Sequence, residues 1–187
     1  MTFNINIKME TEIVDLTKKL SQMQIKPKKK RDYPIYWCIK IEPEAIKTIL
    51  SEITPEDIAH IKIQEAFHIT LLFNRIPPTE EIIKKYSDIV GKQIELTIDG
   101  YAIDDKGFAL IINQNFEHRD LCTNEHPHIS IGNLIGTKPV YNNLLVGRAI
   151  NGTLNGTLNG TLKESEGTGK MKIFETKIKI IGTVGAV

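Results

Sequence analysis

The sequence predicts an α+β, sheet-dominated domain, and three observations carry that prediction. Aromatic and β-branched residues crowd into short alternating runs, of which residues 35–41 (Ile35-Tyr36-Trp37-Cys38-Ile39-Lys40-Ile41) are the first. Segments with apolar residues at helical three- and four-residue intervals separate those runs. Asp104-Asp105-Lys106-Gly107 joins two alternating runs with the composition of a hairpin turn, which requires antiparallel strands.

The composition bounds the function. A chain of 187 residues is long enough to bury a substantial core, and 41% hydrophobic with 25% charged residues is ordinary for a globular protein. A balance of 24 basic against 23 acidic residues excludes a polycation that coats nucleic acid, so any phosphate site must be local. Cys38 and Cys122 are too few for a disulfide framework and suit a reducing compartment. No run approaches the roughly 18 apolar residues of a membrane span. The polar start Thr2-Phe3-Asn4 lacks the layout of a secretory signal. A cytoplasmic monomer with no membrane association and no obligatory protein partner is the expectation.

Two segments are expected, residues 1–32 and a domain over residues 33–187. In the first, Ile13, Leu16, Leu20 and Met23 mark an amphipathic helix within residues 9–25. Pro27-Lys28-Lys29-Lys30-Arg31 follows, a basic run that suits a solvated linker and also resembles a short nuclear-import signal. In the domain, Pro43 opens a helix with Ile46, Ile49, Leu50 and Ile53 on one face, and residues 54–57 cap a further short turn. Residues 66–73 read as a strand. Residues 79–90 read as a helix started by Thr79, with Glu80 and Glu81 in its first turn and Gly91 as its stop. Residues 93–103 and 108–112 form the hairpin, residues 128–131 a short strand, and residues 171–184 a closing strand. Residues 139–150 are ambiguous. The threefold repeat Asn151-Gly152-Thr153-Leu154, Asn155-Gly156-Thr157-Leu158, Asn159-Gly160-Thr161-Leu162 reads as part of a flexible loop over residues 151–170.

The chemistry sits in two tripeptides. In a strand successive side chains point to opposite faces, so His68 and Thr70 share one face while Phe67, Ile69, Leu71 and Phe73 take the apolar one. His128 and Ser130 repeat the device, with Ile129 and Ile131 pointing away. Two such strands side by side would gather two imidazoles and two hydroxyls around one point. One imidazole can accept a proton from water while the other gives one to a departing ribose oxygen, and the hydroxyls can hold non-bridging phosphate oxygens. That set needs no metal and no cofactor. The bland alternative is a pair of packed histidines beside hydroxyl residues that merely suit strands.

His68-Ile69-Thr70 and His128-Ile129-Ser130, each inside an apolar strand, resemble the paired motifs of the 2H phosphoesterase superfamily, which includes LigT-like proteins and tRNA-ligase phosphodiesterase domains. The resemblance implies a two-lobed, pseudo-symmetric pair of antiparallel sheets with outer helices and one motif from each half in a central cleft. It implies that His68 is the general acid and His128 the general base, labels that are open to exchange, with Thr70 and Ser130 as phosphate ligands. It implies a nucleotide or RNA substrate with a 2′,3′-cyclic or 2′-linked phosphodiester: an RNA end, 2′-5′ oligoadenylate, or a cyclic dinucleotide such as cyclic GMP-AMP. The short, polar residues 113–127 depart from LigT-like members, which usually place a helix there, and point to a trimmed, tRNA-ligase-like or viral-like variant. The compact size, the abundance of Ile, Lys and Asn and the stuttering repeat would suit a viral or parasite protein, and the resemblance implies that a viral member would destroy host nucleotide signals.

Around the motifs, Tyr33, Tyr36 and Trp37 are candidates to stack a base, although Trp37 suits core packing better. Arg75, just past the first motif, is a candidate phosphate ligand. Two other readings stand beside the enzyme: a catalytically silent RNA- or nucleotide-binding module, and a zinc-binding protein using the His118, Cys122 and His126 cluster.

Overall fold

The computed structural model describes residues 32–51, 58–152, 155–158, 161–163 and 169–187. The helix expected within residues 9–25, the basic run at 27–31 and the capped turn at 54–57 lie outside them.

The first alternating run forms β1 (Tyr36–Ile41), and its apolar face, Trp37, Ile39 and Ile41, is buried. Pro43 then takes the first turn of α1 (Pro43–Leu50), where its missing N–H costs nothing, and the helix buries Ile46 and Ile49. A two-residue strand β2 (Lys62–Ile63) precedes β3 (Phe67–Phe73). Thr79 caps α2 (Glu80–Ser87): its hydroxyl accepts from the Ile82 amide, and Glu80 and Glu81 face the positive end of the helix dipole. This helix stops short of the expected Val90. Residues 88–91 continue as turns to Gly91, whose φ of 87° a residue with a Cβ rarely adopts.

β4 (Gln93–Ile103) and β5 (Gly107–Ile112) form the expected hairpin. Asp104 locks its turn, accepting from the Lys106 amide at 2.9 Å and the Gly107 amide at 3.0 Å. After β6 (His128–Asn133), the ambiguous residues 139–150 resolve as α3 (Tyr141–Ile150). Tyr141 and Arg148 of this helix both donate to the buried Asp104 carboxylate, pinning α3 to the hairpin turn. Burial alone would raise the Asp104 pKa, but the bonds from Tyr141, the Lys106 amide, Arg148 and the Gly107 amide hold it below the usual carboxylate range. The repeat segment, read above as a loop, carries β7 (Asn155–Leu158) and β8 (Thr161–Lys163), which pair with each other. β7 also pairs in parallel with the closing strand β9 (Lys170–Ala186).

The sheet order is β2-β6-β5-β4-β9-β1-β3, with every neighbour on this path antiparallel. The α+β prediction therefore holds. The hydrogen bonds do not divide into two separate sheets: the long strands β4 and β9 pair along most of their length and join both halves. Gly100 sits at the irregularity in that pairing, where a Cβ would lie 2.1 Å from the Lys172 carbonyl oxygen.

One face of the sheet and helices α1 and α2 enclose the main core, built from Ile39, Ile69, Leu71, Leu96, Leu110, Ile129, Tyr86 and their neighbours. A second cluster, Ala102, Ala109 and Ile111 against Leu145, Val146 and Ala149, holds α3 on the other face of β4 and β5. Each fully buried Leu or Ile contributes about 1.5–3 kcal/mol, so the two clusters supply most of what keeps the sheet folded.

Candidate active site

The alternation in both motif strands is as the sequence implies. Phe67, Ile69 and Leu71 of β3 and Ile129 and Ile131 of β6 enter the main core, so His68 and Thr70, and His128 and Ser130, all face away from it. His68, Thr70 and Ser130 are half-buried, and His128 is 8% exposed. Phe73 departs from the expectation. A register shift pairs Trp37 with Leu72 but Cys38 with Thr70, leaving Leu71 without a counterpart; beyond this bulge the alternation slips and Phe73 is 52% exposed.

β3 and β6 are distant along the hydrogen-bonded order, yet they approach within 8 Å, Cα to Cα. Cross-links fix the approach: Thr123, in the segment leading to β6, donates both its amide (2.8 Å) and its hydroxyl (3.0 Å) to the Leu71 carbonyl of β3. On the far side, the Gln64 amide donates to Ile131 of β6 at 2.8 Å. His68 stands within electrostatic reach of His128 and disfavours a positive charge on it.

Each imidazole has a distinct setting. The carbonyl of His126 lies 2.8 Å from His128 Nδ1, and a carbonyl can only accept, so Nδ1 carries the proton and Nε2 of the neutral ring keeps a lone pair. The His126 ring is itself packed on α3, where a Cβ on Gly147 would fall 3.1 Å from its Cδ2. His68 instead stacks on Tyr36, ring centroids 5.0 Å apart and planes 22° apart. Burial lowers the His68 pKa. Burial likewise lowers that of His128, aided by repulsion from His68 and His126 and opposed by the bond to the His126 carbonyl.

These directions set a pH dependence. A base of lowered pKa stays deprotonated to more acidic pH than an ordinary imidazole, and activity falls only as pH drops through that lowered value. An acid of lowered pKa loses its proton earlier, so activity falls as pH rises through it. The kcat/KM profile of the free enzyme is therefore expected to be a bell centred on the acid side of the ordinary imidazole value of about 6.5, its two apparent pKa values belonging to the pair. An optimum on the alkaline side would contradict this.

Of the aromatic candidates, the structure brings Tyr36 to the motif but not Trp37. Trp37 is 1% exposed and stacks on Tyr86 in the main core, centroids 4.9 Å apart, which corrects its reading as a base-stacking residue. Tyr33 is half-buried ahead of β1, and Arg75 is exposed in the bend after β3. Two neighbours escaped the sequence reading. One is the His126 carbonyl; the other is Lys40, which lies directly opposite His68 in the β1–β3 register. The zinc reading fails on geometry: among the described residues no group of three or more His, Cys, Asp or Glu side chains is placed to hold a metal ion.

A helix-backed antiparallel sheet that draws two His-x-hydroxyl strands together has the layout of a 2H-type phosphoesterase. The chain matches the model of the fungal tRNA ligase phosphodiesterase domain over residues 2–187; it belongs to that family and is a phosphodiesterase. No curated protein gives a significant sequence match. Among solved structures it is similar to a fungal RNA kinase, with a TM-score of 0.56 and 19% identity over 89% of this chain and 48% of that one. The chain thus spans about half the length of that protein, and a likeness at this identity speaks to the fold.

Proposed function

We propose that the protein hydrolyses the 2′,3′-cyclic phosphate at an RNA end, and that His68, Thr70, His128 and Ser130 perform the reaction. What carries this reading is the convergence of the two motifs, with one imidazole tied through Nδ1 and the other within electrostatic reach. The family supports the substrate class, since its members are phosphodiesterase domains of an RNA-joining enzyme.

Nε2 of His128 takes a proton from a water molecule, whose oxygen attacks phosphorus. The bond from phosphorus to one ribose oxygen breaks, and the His68 imidazolium gives its proton to that oxygen. A phosphomonoester and a ribose hydroxyl result, and the two imidazoles end with their protonation states exchanged. Thr70 and Ser130 donate to the non-bridging oxygens, where negative charge builds as the fifth bond to phosphorus forms. Tyr36 holds the His68 ring from its face, and Tyr33 and Arg75 serve as rim contacts for the nucleotide. The sheet acts as two halves, β3 presenting one motif and β6 the other.

Neither comparison supports 2′-5′ oligoadenylate or cyclic GMP-AMP as substrate, or a viral source. The experiment is turnover of three compounds by the purified chain: an oligoribonucleotide ending in a 2′,3′-cyclic phosphate, 2′-5′ oligoadenylate and 2′,3′-linked cyclic GMP-AMP. The cyclic RNA end is expected to be preferred by about tenfold or more in kcat/KM, a discrimination of roughly 1.4 kcal/mol. Preference for either signalling compound would overturn the assignment, and binding without product would favour the silent module.

A further inference from the structure

Lys40 is the charged residue closest in register to His68 that the mechanism above leaves without a duty. It pairs with His68 on one side and with Thr183 of β9 on the other, so its side chain leaves the sheet on the same face as the motif. Its course is fixed by Gly185: a Cβ there would come within 2.7 Å of Lys40 Cε and 3.1 Å of Nζ. The lysine stem therefore lies in a lane that exists because residue 185 has no side chain. Gly185 is level with Cys38, and Cys38 is level with Thr70. The ammonium consequently stands in the same row as the phosphate-binding hydroxyl, two strands away, or about 10 Å at the usual interstrand spacing.

The row is electrostatically connected. The Cys38 thiol, 1% exposed, has its pKa raised by burial and lowered in part by the Lys40 charge, and that of Tyr36 is raised by burial and further by Cys38. Tyr36, stacked on His68, and Lys40 thus bracket one buried thiol beneath the face that carries the motif. Further out on β9, Lys177 and Lys179 are neutralised by Asp99 at 2.9 Å and Glu95 at 2.8 Å. Lys40 makes no such ion pair among the described residues, and it is exposed.

We infer that Lys40, in its lane over Gly185, is a subsite for the phosphodiester one nucleotide before the reacting cyclic phosphate, and so makes the enzyme prefer a polynucleotide end to a cyclic mononucleotide. The separation along the row suits the next phosphate of an RNA strand whose terminal phosphate is held by Thr70 and Ser130. A cyclic mononucleotide has no such phosphate to offer. The inference rests on the function proposed above.

The test measures kcat/KM for an oligoribonucleotide ending in a 2′,3′-cyclic phosphate and for a 2′,3′-cyclic mononucleotide, each across a salt series, with wild type, Lys40→Ala, Lys40→Arg and Gly185→Ala. In Lys40→Ala the ratio of the two values is expected to fall about fivefold, as for one exposed charge contact. The slope of log kcat/KM against log salt for the oligoribonucleotide should become shallower by about 0.7, the single-strand value for one phosphate contact. Lys40→Arg should restore both, and Gly185→Ala, which pushes the lysine out of its lane, should reproduce the loss. A role in folding alone would leave the ratio and the slope where they were. If wild type turns over both substrates while ratio and slope are unchanged in Lys40→Ala, the subsite is wrong and the function stands; if wild type turns over neither, the function fails and the subsite with it.

Discussion

Replacing His68 or His128 with alanine is expected to lower kcat on a cyclic-phosphate RNA end by about 10²–10⁴-fold each, the usual contribution of a general acid or base. Under the proposed mechanism each ring does one proton transfer, and neither ring can do both in a single turnover. The double variant should be far less impaired than the product of the single effects, because an acid without its base already lacks most of its use. Steady-state kcat for the three variants tests this. The substitutions should leave the fold intact: Ile69 and Ile129, not the histidines, carry the core contacts of β3 and β6. A variant that folds and keeps more than about a tenth of the wild-type kcat would remove that histidine from the mechanism.

Thr70→Ala and Ser130→Ala are expected to lower kcat by about 10²–10³-fold, the cost of removing one donor from a site of developing charge, with a smaller change in KM. The split matters. A hydroxyl that bound substrate and transition state equally would raise KM and leave kcat alone. Thr70→Ser and Ser130→Thr keep the donor and should recover most of the rate. Equal losses in the alanine and the hydroxyl-conserving variants would show that the methyl packing of the strand, not the hydroxyl, was being measured.

The legible parts of this protein are those governed by alternation. The period of two placed His68 with Thr70 and His128 with Ser130, and the same parity separates Trp37, which shares its face with Ile39 and Ile41, from Tyr36, which shares its face with Cys38 and Lys40. Phe73 escaped because a bulge is a property of the paired strands, not of one strand's composition. Residues 139–150 were ambiguous because Val140 and Leu144 are apolar yet 61% and 58% exposed, which blurs the stripe formed by Leu145, Val146 and Ala149. Gly147 also speaks against a helix until the His126 ring is seen packed on it.

Register was out of reach of the sequence. No tight turn links β1 to β3, since α1 and β2 lie between them, so nothing in the residues fixed Lys40 opposite His68. The bond from His128 Nδ1 goes to a backbone carbonyl, which has no signature in side-chain identity. The approach of β3 to β6 likewise depends on Thr123, a residue outside both motifs. Long-range closure of this kind is what a pattern of local periods leaves undetermined.

The proposed mechanism requires only two imidazoles and two hydroxyls for the hydrolysis. Its most direct test is the turnover of an oligoribonucleotide ending in a 2′,3′-cyclic phosphate by the purified chain before and after prolonged treatment with excess EDTA. The same kcat/KM is expected in both, with one phosphomonoester formed for each cyclic end consumed. Activity that disappears with the chelator and returns when a divalent metal is added would contradict it.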